Sequence, residues 1–267
     1  MYGFIGCGNM GGTLAAVAAK RAGGSAILVA DHNPPKLAAL SRQYGCIPAS
    51  TAEVAERASL LFLGVKPQVM DKAAAELRPA LAAREDHFAV VSMAAGLTTQ
   101  AVSEMLGGVP VLRIMPNTPA AVGQGVLLYC CGEGVNKEDE EAFLNLMAGA
   151  GMCVKLPEEK IDMGCALTGC GPAFVCLLME AMTDAGVRCG LPLDLSRRLT
   201  LQTFAGTALL ALETGRDPAA LRGAVCSPAG STIEGVAALE SNGARHAMLE
   251  AVAAAYRRTV ALGQAKK

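Results

Sequence analysis

YGFIGCGNMGGTLA, residues 2–15, reads as a short apolar strand, a glycine-rich turn and the first turns of a helix. Gly6, Gly8 and Gly11 stand in G-x-G-x-x-G spacing. In that arrangement the first glycine permits a tight turn, the second lets backbone approach a pyrophosphate, and the third allows helix and strand to pack closely. Free N–H groups at the helix start, around Asn9 and Met10, would face the phosphates. An acidic residue is expected about 20 residues further on, at the end of a second strand, to meet the ribose. Asp31 occupies that place.

Outward from this stretch, short β-branched or apolar runs alternate with amphipathic ones. Strands are expected at 2–5, 26–30, 60–65, 88–92, 111–115, 126–129 and 153–156, with helices at 10–22, 35–44, 69–83 and 137–148 among them. Such alternation signals βαβ units and a parallel sheet. From Glu158 onward no strand pattern occurs. That half is rich in Ala and Leu and is punctuated by Gly and Pro at 169–172, 190–192, 215–218 and 228–230. The expected architecture is therefore α/β: a Rossmann-type dinucleotide-binding domain over 1–157, followed by an all-helical dimerisation domain over 158–267.

Composition narrows the function. Net charge is −1, aromatics are only 4% and Trp is absent, which argues against a nucleic-acid partner. The ten cysteines show no framework spacing and no CxxC pair, and none has a histidine cluster nearby. They read as small hydrophobes in a reducing compartment, with neither disulfides nor a metal site. The chain opens on the glycine motif without room for a signal peptide, and its apolar runs read as too short or too interrupted to span a bilayer. A cytoplasmic location is expected. A mean hydropathy of +0.36 is high for such a protein. The segment 194–213, apolar on nearly every side, points to burial against a second subunit.

Ligands of open α/β sheets sit outside the carboxyl ends of the strands. Val65, Lys66 and Pro67, which follow one strand, and Ala95, which follows the next, should border the cofactor, although Lys66 alone also fits a solvated loop lysine. Asn117, between two prolines in "MPNTP", either lines the nicotinamide pocket or forms a rigid turn. The other half restricts the chemistry. Residues 161–265 hold no lysine and only His246, so the strong base that alcohol oxidation needs is missing. Reduction of an imine needs none: a protonated C=N is already electrophilic, and orientation with one hydrogen-bond partner suffices.

"GFIGCGNMG", "VKP", "MPNTP", "LTGCGPAF", "EAMTDAGVRCGLP" and "CSPAGSTIEGVAALE" together resemble the pyrroline-5-carboxylate reductase family, in order and over nearly the whole chain. The resemblance implies reduction of 1-pyrroline-5-carboxylate to L-proline with NADP or NAD, by helical-domain homodimers assembled into a larger homo-oligomer. It places the substrate carboxylate at Ser227, Gly230 and Ser231 and gives Thr232 the catalytic hydrogen bond to the ring nitrogen. A helix N-terminus suits such an anion. Ser231 and Glu234 also have capping-box spacing, which would occupy the serine without any ligand.

The chain departs from the family pattern in places. Thr168-Gly169-Cys170 stands for Ser-Gly-Ser, and Ala229 stands where glycine is usual, at a cost of about 1 kcal/mol if the position needs a positive φ. Thr51 replaces an asparagine before the third helix. Two other readings fit the same motifs: a different imine or ketone reductase of this architecture, and a non-catalytic dinucleotide sensor.

Overall fold

The computed structural model describes residues 1–264; the last three positions of the expected helical domain, 265–267, lie outside the described residues. By internal contacts the chain divides into two compact units. The first comprises Met1–Cys170 with the end of the last helix from Ala255, and the second Gly171–Ala254.

The first unit is built on one eight-stranded sheet. Along the chain come β1 (Tyr2–Ile5), α1 (Asn9–Ala22), β2 (Ile27–Ala30), α2 (Pro34–Tyr44), β3 (Ile47–Pro48), α3 (Thr51–Arg57), β4 (Leu60–Leu63), α4 (Met70–Ala82), β5 (Ala89–Ser92) and α5 (Thr99–Leu106). They are followed by β6 (Val111–Met115), β7 (Gly125–Cys131), α6 (Lys137–Met147), β8 (Gly151–Lys155) and α7 (Glu158–Thr168). The strand order is β3-β2-β1-β4-β5-β6-β7-β8. Its first six members reproduce the dinucleotide-binding order, with the topological switch between β1 and β4. Strands β1, β2, β4, β5 and β6 are buried almost throughout, which is why they read as continuous apolar runs.

The sheet departs from the expected all-parallel arrangement at one place. β7 runs antiparallel to β6, pairing Ile114 with Tyr129. Residues 116–124 are too few to carry the chain back for a parallel crossover, so the strand returns directly. Two-residue β3, pairing Leu28 with Ile47, is an addition to the expected strands.

The sheet core centres on Phe4, Phe62 and Phe143: the first two rings stack at 4.3 Å between centroids, and Phe143 lies 6.5 Å beyond Phe62. Helix α7 belongs to this unit, although the sequence boundary at 157/158 assigned it to the helical half. Its Ile161 and Cys165 pack with Met115, Leu128 and Cys130. Asp162 accepts from the guanidinium of buried Arg113 at 2.5 Å, with Glu158 3.7 Å from the same group. The guanidinium is buried while both carboxylates stay partly exposed, and losing them would leave the buried charge short of partners, so α7 is held to the sheet by charge as well as packing.

The second unit contains α8 (Gly171–Arg188), α9 (Leu193–Thr214), α10 (Pro218–Ala224), α11 (Ser231–Ser241) and the start of α12 (Ala244–Gln264). α8 and α9 form a hairpin, tied where the Ser196 hydroxyl donates to the Thr183 carbonyl at 2.7 Å. Among the described residues every buried apolar side chain lies between Phe4 and Ala166, and the buried residues of this unit are Thr183, Ser196 and Thr200. Leu177, Leu199, Leu210 and Leu212 are exposed in the single chain. The stretch Glu158–Arg188 is long and apolar enough to cross a bilayer by length and composition. This corrects the expectation that no run is. The stretch is interrupted between α7 and α8 at 169–170 and carries exposed Glu180 and Asp184.

Candidate functional site

The glycine turn is built by close approach. Gly6 has φ +85°, and a Cβ on Gly11 would lie 2.0 Å from the Gly6 carbonyl oxygen, so a side chain there would push α1 off the strand. The turn is anchored by Gly6 N–H donating to the Ala30 carbonyl at 2.9 Å and by Gly64 N–H donating to that of Ile5 at 2.7 Å. Cys7 is buried beneath it against the Phe4 and Ala30 carbonyls. Burial, with the Asp31 charge adding to it, pushes this thiol up to about 12, so it acts as a hydrophobe and not as a nucleophile.

Helix α1 starts at Asn9 and Met10 without a side-chain cap, and open space lies over Gly8. Uncapped N–H groups beside an unfilled glycine surface match what a pyrophosphate requires. The residues therefore fit a dinucleotide.

Beside the turn opens a cleft of about 760 Å³ at the carboxyl ends of β1, β2 and β4. Of the expected residues, Gly6, Asp31 and Val65 line it. His32, Ser50, Thr51 and Lys72 also line it; of these the sequence singled out Thr51 alone, as the replacement for an asparagine before the third helix. Asp31 is held in an Asx turn, its Oδ1 accepting from the Asn33 N–H at 2.8 Å, and its carboxylate is 3% exposed. Forming this turn is compatible with the ribose-facing place expected of the aspartate.

The remaining cofactor candidates are placed less directly. Lys66 is exposed ahead of a short 3-10 turn over Pro67–Val69. Ala95 packs against the Met115–Ile161 cluster. The Asn117 amide is committed to the scaffold: Nδ2 donates to the Thr168 carbonyl at 2.9 Å and Oδ1 accepts from Val126 N–H at 2.8 Å. Its side chain serves as the rigid-turn alternative foresaw, locking the 116–124 connection to β7 and α7.

In the second unit, Ser227-Pro228-Ala229-Gly230 forms a turn closed by Gly230 N–H donating to the Ser227 carbonyl at 3.1 Å. Pro228 cannot take a positive φ, and Ala229 has φ +54°, which makes this a type II turn with a left-handed alanine where glycine is favoured. Helix α11 then begins at Ser231, with Gly230 as its N-cap and no side-chain cap. The capping box foreseen for Ser231 and Glu234 is not formed, because Ser231 lies one residue inside the helix. The Gly230 N–H is spent on the turn, so the N–H groups of Ser231 and Thr232 open the helix, and Ser227, Ser231 and Thr232 are exposed.

Comparison with known proteins extends this. The family description "Pyrroline-5-carboxylate reductase dimerisation" matches residues 158–262, and that of coenzyme F420-dependent NADP oxidoreductases matches 1–96. Pyrroline-5-carboxylate reductase of Escherichia coli is 39% identical over 94% of this chain and 93% of its own length. Pyrroline-5-carboxylate reductase 3 of Danio rerio is 36% identical over 99% and 92%. The chain belongs to the pyrroline-5-carboxylate reductase family.

Among solved structures, Plasmodium falciparum pyrroline carboxylate reductase with NADP bound superposes with a TM-score of 0.87 at 28% identity, covering 98% of this chain and 97% of that one. The Coxiella burnetii pyrroline-5-carboxylate reductase gives 0.86 at 31% identity, covering 97% and 96%. As in the family description, the region beginning at 158 is a dimerisation region, which accounts for leucines that find no cover within one chain.

Proposed function

We propose that this protein reduces 1-pyrroline-5-carboxylate to L-proline with NADPH, accepting NADH as well. The observation that carries the reading is the uncapped start of α11, where three hydroxyls and two free N–H groups stand at a helix N-terminus within a unit devoid of lysine. This is a site for a small carboxylate next to a group that needs a hydrogen bond and no base. The dinucleotide supplies the hydride. Gly6, Gly8, Asn9, Met10 and Gly11 hold its pyrophosphate by backbone, and Asp31 and Val65 flank the adenosine half. Lys66, Pro67 and Ala95 stand at strand ends toward the nicotinamide half, and Asn117 acts through the loop it fixes. Ser227 and Ser231 hold the substrate carboxylate with the N–H groups of the helix start. Thr232 orients the ring nitrogen by accepting from the protonated imine.

In this reading 1–157 serves the cofactor and 158–267 serves substrate and dimerisation. Two chains pair through their helical units, such pairs join into a larger homo-oligomer, and the protein works in the cytoplasm on a free small molecule. The test is steady-state oxidation of NADPH and NADH by the purified protein with 1-pyrroline-5-carboxylate and with a panel of other imines and ketones. Turnover with pyrroline-5-carboxylate above the others supports the proposal. Preference for another imine or ketone, or binding of the dinucleotide without turnover, contradicts it.

A further inference from the structure

The wall of the cofactor cleft around Asp31 carries opposed charges. Asp31 is fixed by the Asn33 N–H and shielded, so its carboxylate is held in place in the wall where a ribose would bind. Such a carboxylate suits a 2′-hydroxyl and repels a 2′-phosphate. Of the other polar residues in the wall, Ser50 is occupied. Its hydroxyl donates to Glu53 Oε2 at 2.8 Å and accepts from Glu53 N–H, forming the capping box of α3. The His32 imidazole is 96% exposed and 3.6 Å from Asp31 Oδ1, turned to solvent and toward the carboxylate. Thr51 stands at the first turn of α3, and among the described residues its hydroxyl has no hydrogen-bond partner.

Lys72, in the first turn of α4, is the one wall residue with a permanent positive charge. Glu76 stands one turn further along the same wall, yet among the described residues Lys72 forms no ion pair. The ammonium is therefore available to an anion entering the cleft.

We propose that Lys72 is the specificity-determining residue that reads the adenosine 2′-phosphate, offsetting Asp31 so that both dinucleotides are used. This rests on the cofactor-cleft reading above. Lysine suits the role as a point charge on a flexible stem that reaches a phosphate without a shaped pocket. Because the group is exposed, its contribution is bounded by what exposed charge pairs give, at most about a fivefold change in affinity.

The experiment compares adenosine 2′,5′-bisphosphate with adenosine 5′-monophosphate by calorimetry on wild type, Lys72→Gln and Lys72→Arg, at low and high salt, alongside kcat/KM for NADPH and NADH. Lys72→Gln should weaken the bisphosphate about three- to fivefold and lower kcat/KM for NADPH alike. Binding of the monophosphate and use of NADH should stay unchanged, and Lys72→Arg should retain the preference. The wild-type advantage of the bisphosphate should shrink in high salt. Asp31→Ser should move the ratio the opposite way, toward NADPH. Equal losses for both probes, or no loss for either, would overturn the role of Lys72 while leaving the cleft in place. A wild type that binds neither probe and neither dinucleotide would overturn the cleft reading, and this proposal with it.

Discussion

Phe62 and Leu199 are both large apolar side chains inside regular elements, and they live in opposite conditions. Phe62 on β4 is fully buried, stacked on Phe4 and close to Phe143. Leu199 on α9 is half exposed, as are Leu201, Leu209 and Leu210 around it. The sheet unit closes its own core within one chain. The helical unit keeps α8 and α9 together through small and polar residues and turns its leucines outward. Burial of a leucine is worth roughly 2 kcal/mol, so a chain that leaves so many exposed is arranged to bury them elsewhere.

That contrast can be broken most severely by truncating each side chain in turn. Phe62→Ala should lower stability by about 3–5 kcal/mol at any protein concentration, because the cavity lies within one chain. Leu199→Ala should cost a comparable amount only where the dimer is populated, with a urea midpoint that falls on dilution. Urea melts of both variants at two concentrations a hundredfold apart check this. A concentration-independent Leu199→Ala midpoint matching wild type would mean that α9 stays uncovered.

A functional version of the comparison follows at the start of α11. Thr232→Ala should lower kcat for imine reduction by the worth of one hydrogen bond to a charged group, about 1.5–3 kcal/mol or roughly ten- to a hundredfold. Dinucleotide affinity, which belongs to the sheet unit, should be unaltered. Stopped-flow kinetics with parallel binding titrations separate the two quantities, and an unchanged kcat in folded protein removes Thr232 from the chemistry.

The strained turn ahead of that helix gives a smaller effect of the opposite sign. Ala229→Gly relieves a left-handed alanine and should raise stability by up to about 1 kcal/mol, part of the gain being returned through the looser unfolded chain. Thermal melts read it directly, and a loss of stability would show that the alanine methyl makes a contact worth more than the strain.

The smallest expected effect lies at the edge of the sheet. Glu140 accepts from Lys155 and from the Tyr129 hydroxyl, both at 2.8 Å, and these partners, Lys155 foremost, hold its carboxyl below the usual carboxylate range. A group with a lowered folded pKa contributes stability above its unfolded pKa of about 4.3 and loses it as pH falls through the folded value. Glu140→Gln should therefore reduce stability slightly at neutral pH and flatten the acid limb of the stability–pH curve. Equal slopes in both proteins below pH 5 would contradict the assignment.

The two units also differ in how far their sequences reveal them. The glycine turn and Asp31 were legible because their residue types answer to single backbone requirements at fixed spacing. Two-residue β3 was not, since Ile47 and Pro48 carry no periodicity, and the reversal at β7 follows from the length of 116–124 and not from its composition. Helix α7 packs with the sheet although the dimerisation description begins at 158, and the sequence does not show this because the partner of its Asp162, Arg113, lies about fifty positions away. Asn117 could be read either as a lining residue or as a turn residue until its two amide partners were known. At α11 the spacing of Ser231 and Glu234 suggested a cap that the one-residue offset of the helix start forbids. Lys72 is one lysine among several until the fold brings it to the wall that holds Asp31.

Sedimentation velocity of the wild-type protein over descending concentrations, with far-ultraviolet circular dichroism on the same samples, tests most directly the claim that the helical unit is completed by a second copy. The account predicts a dimer or a larger assembly as the smallest folded species, with helical signal lost wherever monomer is forced to form. A monomer that keeps its full helical signal and its reductase activity would contradict it.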